Sequence, residues 1–442
     1  MRPNIIVFFT DQQRWDTLGL NGNPLDLTPN FDRLSRTGSF FKNAVTCQPV
    51  CGPARSCLQT GLYASQTGVW CNGIAMDSEA QTLAKCFRQG GYRTGYIGKW
   101  HLAGKDEPAG PVRPELRGGY EDWLAAEIVE ATSGPYSSVL WNESEKPVTL
   151  PGYRVDAHVD AAIRYLAKRA EDPEQPFFLC LSLLEPHQQN STDSYPAPHG
   201  YAERFKGRWC PPDLDALDGN AGEHLAGYCG MVYKVDEALG RMMDALYSLE
   251  LSENTIVAFI SDHGCHFKTR NHEYKRTPHE SSVRIPLSLW GHVFDGGGEF
   301  SEAASLVDLA PTLLDAAELP IPSCMAGRSL LDLVRGESAW SEDSYIQFGD
   351  YGFPCGHALR THRWKYAVST NEPRTEFSDS DEYVESHLYN LEDDPYELYN
   401  LVKSQEHVEL RAMLRKRLLE RMAAMGSRGS ISPSYPISSC DR

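Results

Sequence analysis

A cysteine followed by a proline and an arginine, Cys51-Gly52-Pro53-Ala54-Arg55, stands shortly before Thr60-Gly61. The stretch from Pro53 to Gln59 reads as a short helix, because proline suits the first helical position. A side chain at that N-terminus meets unpaired backbone N–H groups and a partial positive charge, surroundings that suit an oxyanion and an attacked anionic ester. A redox thiol is the other reading, since Cys47 and Cys57 lie close by in the chain. Asp11 and Asp262 each follow directly on a run of β-forming residues, a position that favours a shared site over a helix or turn cap. His266, His272 and His279, with Cys265, are also clustered, but their spacing matches no tight zinc template.

One pattern recurs along the chain: a short apolar run, then at once a group of chemically active residues. Asn4 to Thr10 leads into Asp11 and Gln12, and Tyr92 to Ile97 into Gly98, Lys99, Trp100 and His101. Pro176 to Leu184 leads into Glu185, Pro186 and His187, and Thr255 to Ser261 into Asp262, His263 and Gly264. Such continuous apolar runs are those of strands buried on both faces. Helical segments lie between them, at Pro29 to Thr37, Ser78 to Gln89, Val155 to Glu171 and His224 to Leu249. Alternation of strand and helix predicts an α/β fold with a large, mostly parallel sheet between helices. Ligands bind beyond the carboxyl ends of such strands, so the four polar groups are expected to meet in one pocket.

After about Arg335 the chain changes to short strand-like pieces, Tyr345 to Phe348, His357 to Leu359, Trp364 to Val368 and His387 to Tyr389, and then an amphipathic helix from Glu406 to Met425. The expected division is a catalytic part over 1–335 and a smaller C-terminal α+β subdomain over 336–442. Gly104 to Pro151, rich in Gly, Pro and charge, is expected to form loops over the pocket rim. Gly426 to Arg442 is expected to be poorly ordered. The two long helices, His224 to Leu249 and Glu406 to Met425, are read as packing elements.

A chain of 442 residues with 41% hydrophobic content can bury a large core. Its 60 acidic against 42 basic residues give a formal charge of −18, which repels nucleic acid and anionic membrane surfaces. A short substrate is easier to reconcile with that field than a long polyanion. With Cys51 set aside, eleven of the 12 cysteines remain, an odd number that argues against a complete disulfide framework. The N-terminal apolar run Ile5 to Phe9 is far shorter than a membrane span or a signal h-region. A cytoplasmic protein is expected from the chain as written, and a periplasmic or secreted one if a leader was removed.

The string Cys51-x-Pro53-x-Arg55 with Thr60-Gly61 resembles the signature of the formylglycine-dependent sulfatases, in the alkaline phosphatase superfamily. Asn4 to Asp11 resembles the opening strand of that family, Gly98-Lys99-Trp100-His101 its Gly-Lys-x-His motif, and Ser261-Asp262-His263-Gly264 its second metal pair. Lys275 with Glu280 to Pro286, and Leu388-Tyr389-Asn390-Leu391 with Asp393-Asp394-Pro395, resemble further blocks, so the likeness spans nearly the whole chain.

The resemblance implies an alkaline phosphatase-like fold and hydrolysis of a sulfate monoester, with a sulfated mono- or oligosaccharide as the expected small substrate. It also implies a maturation enzyme that oxidises Cys51 to formylglycine. The hydrate of that aldehyde carries two hydroxyls: one attacks sulfur and expels the alcohol, and loss of the proton from the second lets the intermediate collapse to aldehyde and sulfate, a route closed to an ordinary serine ester. Asp11, Gln12, Asp262, His263 and the modified Cys51 side chain are the implied metal ligands, with Ca²⁺ expected first and Mn²⁺ or Mg²⁺ next. Lys99 and Lys275 are implied to neutralise the sulfate oxygens, and Arg55 to support the modified side chain. His101 and His187 are implied to move protons at the nucleophile and the leaving oxygen, either being open as the acid. Gln12 replaces the second of two successive aspartates found in many relatives, and His263 stands where others have asparagine. That pair also occurs in phosphonate monoester hydrolases and choline sulfatases of the superfamily, which makes a phosphonate or phosphate ester hydrolase the alternative. Asn72, Gln188, Gln189, Asn190, His357 and Arg360 are expected to line the pocket wall.

Overall fold

In the strand Asn4–Thr10 (β1) every residue is buried, and the period-two geometry of a strand sends them alternately to two cores. Ile5, Val7 and Phe9 join one apolar cluster, Ile6 and Phe8 the other. The strand is therefore covered on both faces, as its unbroken apolar run predicts. The structure is a computed structural model and describes residues 2–296, 298–337, 340–373, 380 and 382–433.

The remaining strands of the larger sheet are β2 (Ser39–Phe41), β3 (Arg93–Lys99), β4 (Asp122–Ala126), β5 (Ser138–Asn142), β6 (Pro147–Leu150), β7 (Phe177–Ser182), β8 (Thr255–Ser261), β9 (Leu287–Trp290) and β10 (Gly298–Phe300). Their order is β10-β2-β9-β8-β1-β7-β3-β4-β5-β6. The five central neighbours β8, β1, β7, β3 and β4 run parallel, so their carboxyl ends open on one edge. β9, β5 and β6 pair antiparallel toward the flanks.

One face is covered by the helices Arg154–Ala170 and Ala221–Ser248, through Val155, Val159, Leu166, Val235, Leu239 and Met242. The helices Cys51–Thr60, Leu83–Gln89 and Leu309–Ala316 cover the other. The second sheet comprises β11 (Asp343–Phe348), β12 (Gly356–Thr361), β13 (Trp364–Ser369), β14 (Glu382–Asn390) and β15 (Ser430–Ser432). Neighbours from β11 to β14 are antiparallel, and β15 joins β14 in parallel. The helix Val408–Ala424 covers it through Leu414, Leu418 and Met422, in a core continuous with one face of the large sheet. This is the α/β architecture with a smaller C-terminal sheet that the strand–helix alternation predicts.

Three expectations need correcting. Gly104 to Pro151 is not loop alone: β4, β5 and β6 extend the large sheet there. Gly, Pro and charge conceal them because β5 and β6 are a half-exposed edge hairpin with no continuous apolar run. The helix expected from Ser78 begins at Leu83, where the Thr82 side chain caps it by accepting from Lys85 N. The tail expected to be poorly ordered supplies β15, while residues 434–442 lie outside the described residues.

Candidate active site

The edge where the parallel strands end carries the reactive residues. β1 delivers Asp11 and Gln12, β3 ends at Lys99 just before His101, β7 precedes His187, and β8 delivers Asp262 and His263. Gly98 explains one local turn. It has φ of 110°, and a Cβ there would collide with the carbonyl oxygen of Ser182, so a residue with a side chain cannot bring Lys99 so close to β7.

Cys51 is the first residue of its helix, preceded by extended Val50, and Gly52 N donates to Asn72 Oδ1 at 2.9 Å. Its Sγ lies 3.6 Å from Asp11 Oδ1, 3.3 Å from His263 Nε2 and 2.7 Å from Lys275 Nζ. Ligand atoms of Asp11, Cys51, Asp262 and His263 all lie within 4.8 Å of one another. Lys275 Nζ is also 3.0 Å from His263 Nε2 and 3.4 Å from His187 Nε2. Lys99 Nζ is held between Asp11 Oδ2 and Glu130 Oε1, at 2.9 Å each, and lies 3.9 Å from Cys51 Sγ. Arg55 donates to Asp11 Oδ2 at 2.9 Å, Ser182 Oγ at 2.8 Å and Lys99 O at 2.9 Å.

Buried polar atoms with no hydrogen-bond partner test whether these residues suit a cation. Gln12 donates through Nε2 to Tyr195 Oη and Cys265 Sγ, which leaves its Oε1 buried and unpartnered. Asp262 accepts on Oδ1 from the backbone N–H groups of Gln12 and His263, while Oδ2 has no hydrogen-bond donor. His263 Nδ1 bonds the Gly264 carbonyl at 2.8 Å, so that nitrogen carries the proton and the lone pair on Nε2 faces the cluster. The residues fit a hard divalent cation with oxygen donors and one imidazole.

Charge shifts agree with that reading. Burial together with the neighbouring Asp11 pushes the Asp262 carboxyl up to about 7. Burial would raise Asp11 too, but Lys99, His187 and Arg55 hold it below the usual carboxylate range. Burial alone would raise the Cys51 thiol, yet Lys275 and Lys99 bring it well below its ordinary value. An anion at this position is strongly favoured.

The site opens into a cleft of about 430 Å³ lined by residues that include Cys51, Asn72, His101, His187, Gln188, Asn190 and Lys275, within the range of roughly 300–1,000 Å³ usual for small ligands. Three expected wall residues are not there. Gln189 bridges inward, from its amide to the Glu130 and Ser133 carbonyls and from Arg154 to its Oε1. His357 is buried between the hydroxyls of Tyr345 and Tyr383. Arg360 bonds Asn43 and Glu280, facing a separate cavity. His357 thus completes a buried polar network within the second sheet, and Arg360 ties that sheet to Asn43 and Glu280 of the larger part.

Four features were missed. Glu130 shares Lys99, and the Glu127 carboxylate accepts from the backbone N–H groups of Leu102, Ala103 and Gly104, fixing the turn after His101. Both follow β4, so the rule that polar groups follow strand ends would have found them had β4 been recognised. Ser182 anchors Arg55, and Asp193, Lys268, Glu273, Tyr274 and Arg276 line the cleft mouth.

Comparison with known proteins matches residues 3–319 to the Sulfatase family model and residues 271–424 to the model for the C-terminal region of N-sulphoglucosamine sulphohydrolase. The chain is 30% identical over 445 residues to an ulvan-active sulfatase of Formosa agariphila, covering 96% of this chain and 82% of that one. It is 25% identical to an N-acetylglucosamine-6-O-sulfatase of Bacteroides thetaiotaomicron, covering 95% and 86%. The crystal structure of yidJ from Bacteroides fragilis superposes with a TM-score of 0.83 at 26% identity, covering 96% of each chain.

Proposed function

The chain belongs to the sulfatase family and hydrolyses sulfate monoesters; from that premise we propose that Cys51, matured to formylglycine by a separate enzyme, is the nucleophile and that the substrate is a sulfated mono- or oligosaccharide. The observation that carries this reading is the position of Cys51 Sγ, 3.6 Å from Asp11 and 2.7 Å from Lys275, between a cation cage on one side and an ammonium on the other. Asp11, Gln12, Asp262 and His263 would hold one divalent cation, beside the Cys51 side chain. The oxygen-rich set favours Ca²⁺, with Mn²⁺ or Mg²⁺ next, the imidazole being the feature that admits manganese. Such an ion supplies positive charge that favours the ionised nucleophile.

The protein groups divide the remaining work. Lys275 and Lys99 hold the charge that builds on the sulfate oxygens, preorganised in a dry site. Arg55 orients Asp11 and steadies the base of the cage through charge-assisted bonds. His187 Nδ1 donates to the Gln188 carbonyl at 2.7 Å, which turns Nε2 toward the cleft to deliver a proton at the leaving oxygen. His101 donates its backbone N–H to the Glu127 carbonyl and hydrogen-bonds the Cys51 side chain, placed to take a proton from the nucleophile. Residues 1–335 form the catalytic part and 336–442 the subdomain that buttresses it.

The relatives named for ulvan and for N-acetylglucosamine 6-O-sulfate support a carbohydrate substrate. The specific test is sulfate release by the matured enzyme from a panel of sulfated mono- and disaccharides, beside 4-nitrophenyl sulfate and a 4-nitrophenyl phosphonate. Turnover of at least one sugar sulfate is expected. A phosphonate turned over faster than every sulfate would favour the alternative that Gln12 and His263 suggest.

A further inference from the structure

Lys268, Lys275 and Arg276 are the cations that line the cleft, and two of them are already neutralised. Lys268 Nζ lies 2.7 Å from Asp193 Oδ2, and Tyr274 Oη fixes the other oxygen of that carboxylate at 2.6 Å. Arg276 pairs with Asp350 at 2.8 Å and with Glu273 at 3.1 Å. Among the described residues of the cleft, Lys275 is the cation without a carboxylate partner, and it sits at Cys51 where the sulfate must bind.

The wall beside that position is anionic. Glu130 lines the cleft with its side chain only 4% exposed. Its Oε1 accepts from Lys99, itself already shared with Asp11, and its Oε2 has no partner. The cleft thus offers unclaimed positive charge for one sulfate and none for a second anion. A sulfate or carboxylate on a neighbouring carbon would face Glu130 or have to compete with Asp193 for Lys268. Unpaired like charges in a partly dehydrated site are strongly disfavoured.

We propose that the cleft selects a sugar carrying a single sulfate and no other anionic group, with Glu130 and Asp193 as specificity-determining residues. This rests on the sulfatase reading and names the substrate class of the same site.

The test compares kcat/KM of the matured full-length enzyme on matched pairs of sugars, each pair a neutral sugar with one sulfate and the same sugar with a second sulfate or a carboxylate, the first sulfate being taken through its positional isomers. The monosulfate is expected to be favoured by at least about tenfold. Asp193→Asn keeps an acceptor for Tyr274 and releases Lys268, and it should narrow that ratio several-fold. A second variant, Glu130→Gln, should narrow it through the wall. Equal or faster turnover of the doubly charged partner, or an unchanged ratio in folded Asp193→Asn and Glu130→Gln proteins, overturns the proposal. Turnover of 4-nitrophenyl sulfate with no sugar monosulfate accepted also overturns it. Loss of turnover on 4-nitrophenyl sulfate and on every sugar sulfate despite verified formylglycine would instead overturn the sulfatase reading on which the proposal rests.

Discussion

Replacing Lys275 by methionine keeps the length and much of the packing of the side chain while removing its charge. Lys275 Nζ lies 2.7 Å from Cys51 Sγ and 3.4 Å from His187 Nε2, nearly buried. Two unit charges about 4 Å apart interact by about 4 kcal/mol at an effective dielectric constant near 20, which corresponds to roughly a thousandfold in rate. Part of that attraction is already present when the sulfate ester binds, so a loss of roughly 10²–10³ in kcat/KM is expected, the range found for single oxyanion donors. Steady-state hydrolysis of 4-nitrophenyl sulfate measures it, with the formylglycine content of each preparation fixed by peptide mass. The unmatured protein gives an independent readout. Burial raises the Cys51 thiol and Lys275 is the foremost group that lowers it, so alkylation of Cys51 should shift to higher pH in Lys275→Met. A loss below tenfold at equal formylglycine content, with an unmoved alkylation profile, would refute the assignment of Lys275 to the reacting centre.

Chelation should silence the enzyme and also lower its melting temperature by a few degrees, because a cation bound at about 100 times its Kd contributes roughly 2.7 kcal/mol to the folded state; an unchanged melting temperature in metal-free protein contradicts a cage built from Asp11 and Asp262. Away from the site, Asp236 accepts from the backbone N–H groups of Asn30 and Phe31 at the start of the Pro29–Thr37 helix, and burial pushes it up to about 6 from an ordinary value of 3.8. A carboxyl raised on folding contributes stability that is full below pH 4 and is lost as pH rises through 6, so wild type should lose about 2–3 kcal/mol relative to Asp236→Asn between pH 4 and 7. Urea denaturation at both pH values checks this, and parallel pH slopes for the two proteins would contradict it.

The central strands were legible because burial on both faces leaves an unbroken apolar run. Asn4–Thr10 and Thr255–Ser261 end at the residues where their polarity changes. That same change marked Asp11, Lys99, His187 and Asp262 as residues at one sheet edge. The edge strands were hidden for the complementary reason. β5 and β6 are half exposed, and without β4 in view, Glu127 and Glu130 had no strand end to mark them. His357 and Arg360 show a different limit. A polar residue on a short strand looks the same whether it faces a cleft or a buried partner, and only the contacts with Tyr345, Tyr383, Asn43 and Glu280 separate the two. Gln12 was readable as a ligand candidate, but the reason its Oε1 is left free lies in Tyr195 and Cys265, far along the chain.

Peptide mass analysis of the segment containing Cys51, set against specific activity over preparations matured to different extents, tests the assigned nucleophile most directly. Activity should rise in proportion to the fraction of Cys51 converted to the aldehyde and extrapolate to zero when every thiol is intact. Full activity in protein whose Cys51 is entirely unmodified would contradict the account.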